Sequence, residues 1–301
     1  MISFEKLGKH EGVGNQLFQY AFLRATAQRL GVEFYCPPWL GDKIFLLGDE
    51  AFRAKARGNM DKVYRQPDDN SGYSECALGI EDGTEIFGFF QSEKYFAPRE
   101  VRRWYTFKEE AVSRVEEKYK EVDFTRVPAI HLRFGDMTHN PMFVILPAGY
   151  YVRALSVIKS DGPIWVFSDE IPTARKHLQG IRKNFVYIEG NKDYEDLYLM
   201  ARCRNVICSV STFSWWGAWL IPHRDKKVVA PREWIRPGHP MRNFGLNHEG
   251  WTILKTCRPV LDDYRFLMRK KLWEEKFLRM KARSLKENLL SFRNFLRKKK
   301  R

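Results

Sequence analysis

A chain of 301 residues is about twice the common size of one domain, so two compact units sharing a cleft are expected. With 44% hydrophobic and 15% aromatic residues and only 20 Gly and 14 Pro, the composition excludes a disordered or fibrous protein. The formal charge of +15 suggests a nucleic-acid binder until its distribution is read: Arg258 to Arg301 carries 16 Lys+Arg against 5 Asp+Glu, leaving 36 against 32 for residues 1–257, so the body is nearly neutral.

The N-terminus, Met1 to Glu5, has no basic start followed by an apolar run, and no stretch approaches the roughly 20 apolar residues of a membrane span, so a cytoplasmic protein is expected. Gly12-Val13-Gly14 leads into a segment in which Phe18, Ala21, Phe22 and Ala25 recur at i, i+3, i+4, i+7, the buried face of a helix that Gly31 stops. From there to about Asp82, Pro37-Pro38, Gly41, Gly48 and a polar loop from Gln66 to Gly72 predict little regular structure. The five cysteines (Cys36, Cys76, Cys203, Cys208, Cys257) are odd in number and irregularly spaced, which fits reduced thiols better than a disulfide framework or a CxxC metal site.

From Phe107 the pattern turns regular. A charged helix to Lys120 precedes a strand over Val127 to Arg133, a helix over Pro147 to Ser160, a strand over Ile164 to Phe167 and a helix over Ile171 to Gln179. A strand over Phe185 to Ile188, a helix over Tyr194 to Cys203 and strands over Asn205 to Val210 and Lys227 to Ala230 follow. Repeated strand–helix units of this length imply an α/β fold with a parallel sheet covered on both faces, and a ligand at the C-terminal ends of its strands. The residues past Cys257 are expected to be helical, with Leu285, Leu289, Phe292 and Leu296 as one apolar stripe among basic residues.

Chemistry-bearing residues collect at those strand ends. His131 and Arg133 alternate along one strand and so share a side, and Gly135-Asp136 forms the loop that leaves it; from spacing alone this reads equally as a surface arginine with an aspartate partner. Asp169 ends the next strand, where a carboxylate can accept a guanine edge or a ribose hydroxyl, or simply cap the following helix. Ser211, Thr212, Phe213 and Ser214 follow a third strand and open a helix, so their hydroxyls and free amides can hold a phosphate or act as an ordinary cap. The tryptophans just after them read as core before they read as a sugar platform. Gly12-Val13-Gly14 lacks the third glycine and the distant acid of a dinucleotide fingerprint, which excludes a nicotinamide enzyme, but it permits close backbone approach to a charged ligand, with Asn15 and Gln16 adding amides.

Over roughly residues 8 to 235 these segments resemble the alpha-1,2-fucosyltransferase family. The family's opening stands here as Gly12 to Ala21, its aromatic-rich Q-S-E-K segment as Gly88 to Phe96 and its H-x-R-R-G-D motif as His131 to Asp136. F-S-D stands as Phe167 to Asp169, Y-E-D-L-x-L-M as Tyr194 to Met200 and the S-T-F-S-W-W block as Ser211 to Leu220. The resemblance implies a GT-B-like fold of two Rossmann-like domains facing across a cleft. Residues 1–125 would form the acceptor-side domain, residues 126–256 the GDP-fucose-binding domain and residues 257–301 a basic amphipathic helical tail.

It further implies an inverting enzyme, independent of metal and cofactor, that moves fucose from GDP-fucose to the 2-hydroxyl of a galactose-terminated glycan. Arg133 would bind the diphosphate, His131 and Asp169 the guanosine, and Ser211, Thr212, Phe213 and Ser214 the β-phosphate. Gly14, Asn15 and Gln16 would close over the donor, and Asp136 would serve as general base or orient Arg133. One position departs from the motif: its second arginine is Phe134 here, which places more of the phosphate charge on Arg133. That departure also motivates the alternative of a GDP-sugar- or glycan-binding protein without catalysis, beside a fucosyltransferase of other linkage or protein acceptor. For the tail, docking on the first domain and peripheral binding to an anionic membrane surface are both expectations, whereas RNA binding lacks any recognised module.

Overall fold

The computed structural model describes residues 1–9, 12–68, 70–138, 140, 142–236 and 246–256. The expected tail helix, its stripe and Cys257 lie outside the described residues. None of the helices among the described residues is long and apolar enough to cross a membrane, and the four described cysteines form no disulfide.

Two parallel sheets make the frame. The first contains β1 (Ile2–Ser3), β2 (Phe34–Tyr35), β3 (Lys62–Arg65) and β4 (Thr84–Phe87) in the order β2-β1-β4-β3. Helices α1 (Val13–Leu30), α2 (Leu40–Ile44), α3 (Pro98–Trp104) and α4 (Glu109–Lys118) complete this half of the chain. Where the sequence promised little between Gly31 and Asp82, the structure has β2, α2 and β3. Two-residue strands carry no readable period, and β3 is mostly exposed at a sheet edge, so it lacks an apolar run.

The second sheet contains β5 (Pro128–Leu132), β6 (Ile164–Ser168), β7 (Phe185–Tyr187), β8 (Asn205–Ile207), β9 (Val228–Pro231) and β10 (Thr252–Leu254), in the order β10-β9-β8-β5-β6-β7. Its helices are α5 (Ala148–Ile158), α6 (Ile171–Leu178), α7 (Asp193–Arg202) and α8 (Thr212–Leu220). Counted from β5, this is the 3-2-1-4-5-6 order of a Rossmann sheet, whose direction of winding reverses between β5 and β8. The first sheet departs from this pattern: β3 is laid at its outer edge and β4 returns to lie beside β1. Ligands bind outside the carboxyl ends of strands at a reversal such as that between β5 and β8, so the topology selects the loops after these two strands before any side chain is considered.

Helix α1 is buried on nearly every side because it lies between the first sheet and α8. Phe18 meets Trp215 and Trp216 with ring centroids 4.7 and 4.8 Å apart, Tyr105 meets Trp216 at 5.3 Å, and Phe96 packs on Trp216 and Trp219. The tryptophans of α8 are therefore core, all three fully buried. Each such ring removes roughly 150–250 Å² from water, a gross stabilisation of about 4–6 kcal/mol at roughly 25 cal/mol per Å². Helix α4, on the first-domain side of the boundary expected at residue 125, packs with the second sheet: Val112 and Val115 join a buried cluster with Val127, Trp165 and Leu199, and Arg114 pairs with the buried Glu195.

Candidate active site

Strand β5 ends at Leu132, and the chain leaves it as Arg133-Phe134 followed by a short 3-10 turn over Gly135–Thr138. The Arg133 guanidinium is held at two points: Nη2 donates to Asp136 Oδ1 at 2.6 Å, and Nη1 lies 3.2 Å from Asp169 Oδ2. Asp169 also accepts the Phe134 amide at 2.9 Å, so one carboxylate at the end of β6 fixes both the arginine and the backbone beside it. Gly135 is required for that approach, because a Cβ there would come within 2.4 Å of Asp169 Oδ2. The side chain of Phe134 is buried against His177, with ring centroids 5.4 Å apart, and does not line the cleft. Arg133 is consequently the only permanent cation among the described residues that line it.

His131 is buried one step earlier on β5. Its Nδ1 lies 2.6 Å from Ser209 Oγ, across the reversal between β5 and β8, and its ring rests 5.3 Å from that of Phe213. Burial, and then the charge of Arg133, push its pKa down to about 3, so the imidazole is neutral at physiological pH. It contributes shape and hydrogen bonding, not charge.

The loop after β8 runs into α8 with Ser211 as N-cap, its Oγ accepting the Phe213 amide at 3.3 Å. The first-turn amides of an α-helix have no intrahelical acceptor, so this end of α8 carries donors and partial positive charge at the cleft. At the opposite end the Lys226 ammonium donates to the carbonyls of Ala218, Trp219 and Ile221, at 2.8 to 3.1 Å. Across the cleft, the first turn of α1 presses on the first turn of α8: a Cβ on Gly14 would lie 2.6 Å from the Phe213 amide nitrogen and from Thr212 Oγ1. Asn15 Oδ1 accepts from Thr212 Oγ1 at 3.0 Å and from Gln91 Nε2 at 2.9 Å, tying both halves at one atom.

These elements enclose a cleft of about 560 Å³. Of the residues predicted from sequence, Gly14, Asn15, His131, Arg133, Asp136, Asp169, Ser211, Thr212 and Phe213 line it together. Gln16 and Ser214 do not. Gln16 is buried within α1, and Ser214 is fully buried with its Oγ donating to the Ser211 carbonyl at 3.0 Å, so its hydroxyl serves the helix start. Asp169, expected on the nucleoside, has both carboxylate oxygens engaged by Arg133 and Phe134.

Sequence reasoning missed Ser71, Phe89, Gln91, Asp193, Asp196 and Trp234, which also line the cleft. For Asp193 and Asp196 a signal existed: they stand at i and i+3 in the first turn of α7 and so share a face. Burial, followed by the charges of Asp193 and Glu195, raises Asp196 to about 6.

The profile of glycosyl transferase family 11 matches residues 84–240. An Escherichia coli O-antigen biosynthesis glycosyltransferase, WbnK, is 30% identical over 177 residues, 54% of this chain and 59% of that protein. An Escherichia coli alpha-1,2-colitosyltransferase is 29% identical over 195 residues, 61% of this chain and 67% of that one. In fold the chain is similar to the fucosyltransferase NodZ from Bradyrhizobium, with a TM-score of 0.50 at 14% identity, covering 73% of this chain and 93% of NodZ. It is likewise similar to POFUT1 in complex with GDP-fucose, with a TM-score of 0.50 at 12% identity, covering 76% and 97%. At such identities the two structures speak for the shared GT-B architecture alone. The sequence match begins at β4 and runs through every strand from β5 to β9, taking in the arginine turn and the α8 start that form the cleft wall, and on that span the chain belongs to glycosyl transferase family 11.

Proposed function

We propose that this protein is an inverting glycosyltransferase that moves L-fucose from GDP-fucose to the 2-hydroxyl of a terminal galactose in a glycan, without a metal ion. The observation that carries this reading is the meeting of Arg133 with the first turn of α8 at one cleft, closed from the other half by Gly14 and Asn15. As the bond between the fucose anomeric carbon and the phosphate oxygen breaks, negative charge gathers on the diphosphate and the sugar becomes oxocarbenium-like. A guanidinium fork and a row of amides already in position stabilise that charge without reorganising.

Asp136 and Asp169 orient the fork. The neutral His131 offers its remaining ring nitrogen to the nucleoside side. The acceptor hydroxyl attacks from the face opposite the leaving phosphate, which inverts the anomeric centre, and its proton passes to Asp136 or to the departing diphosphate. A second reading keeps the geometry and changes the sugar: the relative named as an alpha-1,2-colitosyltransferase favours a donor that carries colitose.

The test is incubation with GDP-fucose and a panel of galactose-terminated acceptors in EDTA, followed by linkage analysis, with a colitose donor in parallel. An α-1,2-fucosylated product is expected. Transfer only after metal is restored overturns the mechanism, exclusive use of the colitose donor selects the second reading, and no transfer from either donor to any acceptor overturns both.

A further inference from the structure

The segment that leaves β4 has no part in the donor chemistry above, yet it is a tightly constrained turn bordering the cleft. Phe90 stands at φ 51, in the left-handed region that bulky L residues rarely enter. The turn is held there from several sides. The amides of Phe89 and Phe90 both donate to Oε1 of the buried Gln66, each at 2.9 Å, and Gln66 is itself anchored through Nε2 to the Gly72 carbonyl at 2.9 Å. Gln19 Nε2 donates to the Gly88 carbonyl at 3.1 Å, and the Gln91 amide to the Ser71 carbonyl at 2.7 Å.

The Phe90 ring is driven wholly into the core, stacked on Phe22 with centroids 3.7 Å apart. Its two neighbours are placed on the cleft instead. Phe89 is 39% exposed there, while Gln91 is only 4% exposed, with Nε2 bound to Asn15 and Oε1 without a hydrogen-bond partner among the described residues. Backbone strain that the surrounding structure over-determines is a mark of functional positions, and a buried acceptor without a partner calls for an explanation of its own.

We propose that Phe89 and Gln91 form the acceptor subsite, in which a pyranose lays its C–H face on the exposed Phe89 ring and, as rotation of the Gln91 carboxamide uncovers its now-buried Oε1, donates a hydroxyl to that oxygen. The proposal rests on the transferase reading above and adds the acceptor side to it. Position supports it first: Arg133 and α8 hold the leaving diphosphate from the second half, and in-line displacement brings the nucleophile from the opposite side, where β4 delivers this turn. Chemistry supports it next. A carbonyl oxygen repels a phosphate and accepts from a hydroxyl, and the electron-rich face of an aromatic ring suits polarised C–H groups, so this pair fits a neutral sugar and not the nucleotide.

The experiment measures binding and turnover separately, using lactose as acceptor probe. Lactose affinity is titrated by NMR with protein saturated in GDP, transfer from GDP-fucose is followed kinetically, and GDP affinity and thermal unfolding monitor the integrity of each variant. Phe89→Ala is expected to weaken lactose binding and raise its KM about tenfold while GDP affinity stays within about twofold, and Phe89→Trp to retain wild-type affinity. Unchanged lactose binding by Phe89→Ala overturns the proposal, as does weakened GDP binding with lactose binding intact, which would assign the ring to the donor. Absence of lactose binding to the wild type overturns it as well. Lactose binding that depends on Phe89 without any transfer supports the subsite and instead removes the transferase reading.

Discussion

Arg133 shows how one residue can matter greatly to a reaction and little to the fold. Its side chain is 36% exposed and its partner Asp136 is 72% exposed, so their ion pair is well solvated and adds little to stability. What the two carboxylates supply is aim: with Nη1 on Asp169 and Nη2 on Asp136, the guanidinium plane is fixed before any ligand arrives. A lysine at this position keeps the charge and loses the fork, because an ammonium cannot bridge two carboxylates and still present a flat donor edge. Arg133→Lys is therefore expected to lower kcat/KM for GDP-fucose about 100-fold, and Arg133→Ala about 1,000-fold. Both variants should keep a thermal midpoint within about 2 °C of wild type. Steady-state kinetics beside thermal unfolding checks this, and a variant that loses stability and activity together would mean that Arg133 is structural. The burial of Phe134 sharpens the expectation, since no second permanent cation among the described residues lines the cleft to take over the charge.

At the scale of elements, the site exists because two helix N-termini meet. Gly14 lets the first turn of α1 rest on the first turn of α8, and any Cβ at that position collides with the backbone of Thr212 and Phe213 as well as with Thr212 Oγ1, so turning one side chain aside does not relieve it. Gly14→Ala is thus expected to cost about 1–3 kcal/mol through overpacking and to impair donor binding by shifting Thr212. Gly12→Ala, whose Cβ would meet nothing within 4 Å, is the matched control and should behave as wild type in both respects. Denaturant unfolding and GDP titration of the pair would decide it, and equal behaviour of the two variants would show that the helix contact is not what places Thr212. The sequence was informative where elements are long and periodic. Buried parallel strands such as Ile164 to Ser168 read as apolar runs, and strand ends marked Arg133, Asp169 and Ser211 as neighbours in space without any view of their partners. It was silent where conformation departs from a period: nothing in Gly88 to Gln91 announces that Phe90 turns left-handed and exposes Phe89, and β1 and β2 are too short to alternate. The inward turn of Ser214 was equally hidden, because the third residue of a capped helix start and a phosphate ligand look alike in sequence.

For the whole molecule, the cleft lies between two sheets, yet the halves are not loosely joined. One apolar cluster runs from Ile2 and Phe4 of the first half through Phe18, Trp215 and Trp216 to Val229 and Leu246 of the second. Domains linked by small polar interfaces move independently, whereas a large apolar contact couples their stabilities. With Phe18 seated between two indoles, opening the halves apart at α1 and α8 would expose rings that are now dry. Ligand access should then depend on the loops over the cleft and not on separation of the sheets. The same coupling predicts how the protein melts: calorimetry should give a single cooperative transition for residues 1–256, despite two sheets with separate topologies. Phe18→Ala should cost about 3–5 kcal/mol and lower the midpoint of that whole transition by roughly 2–4 °C for each kcal/mol. A thermogram with two peaks, of which Phe18→Ala shifts only the one belonging to the first sheet, would show that the indole contact does not join the halves into one folding unit.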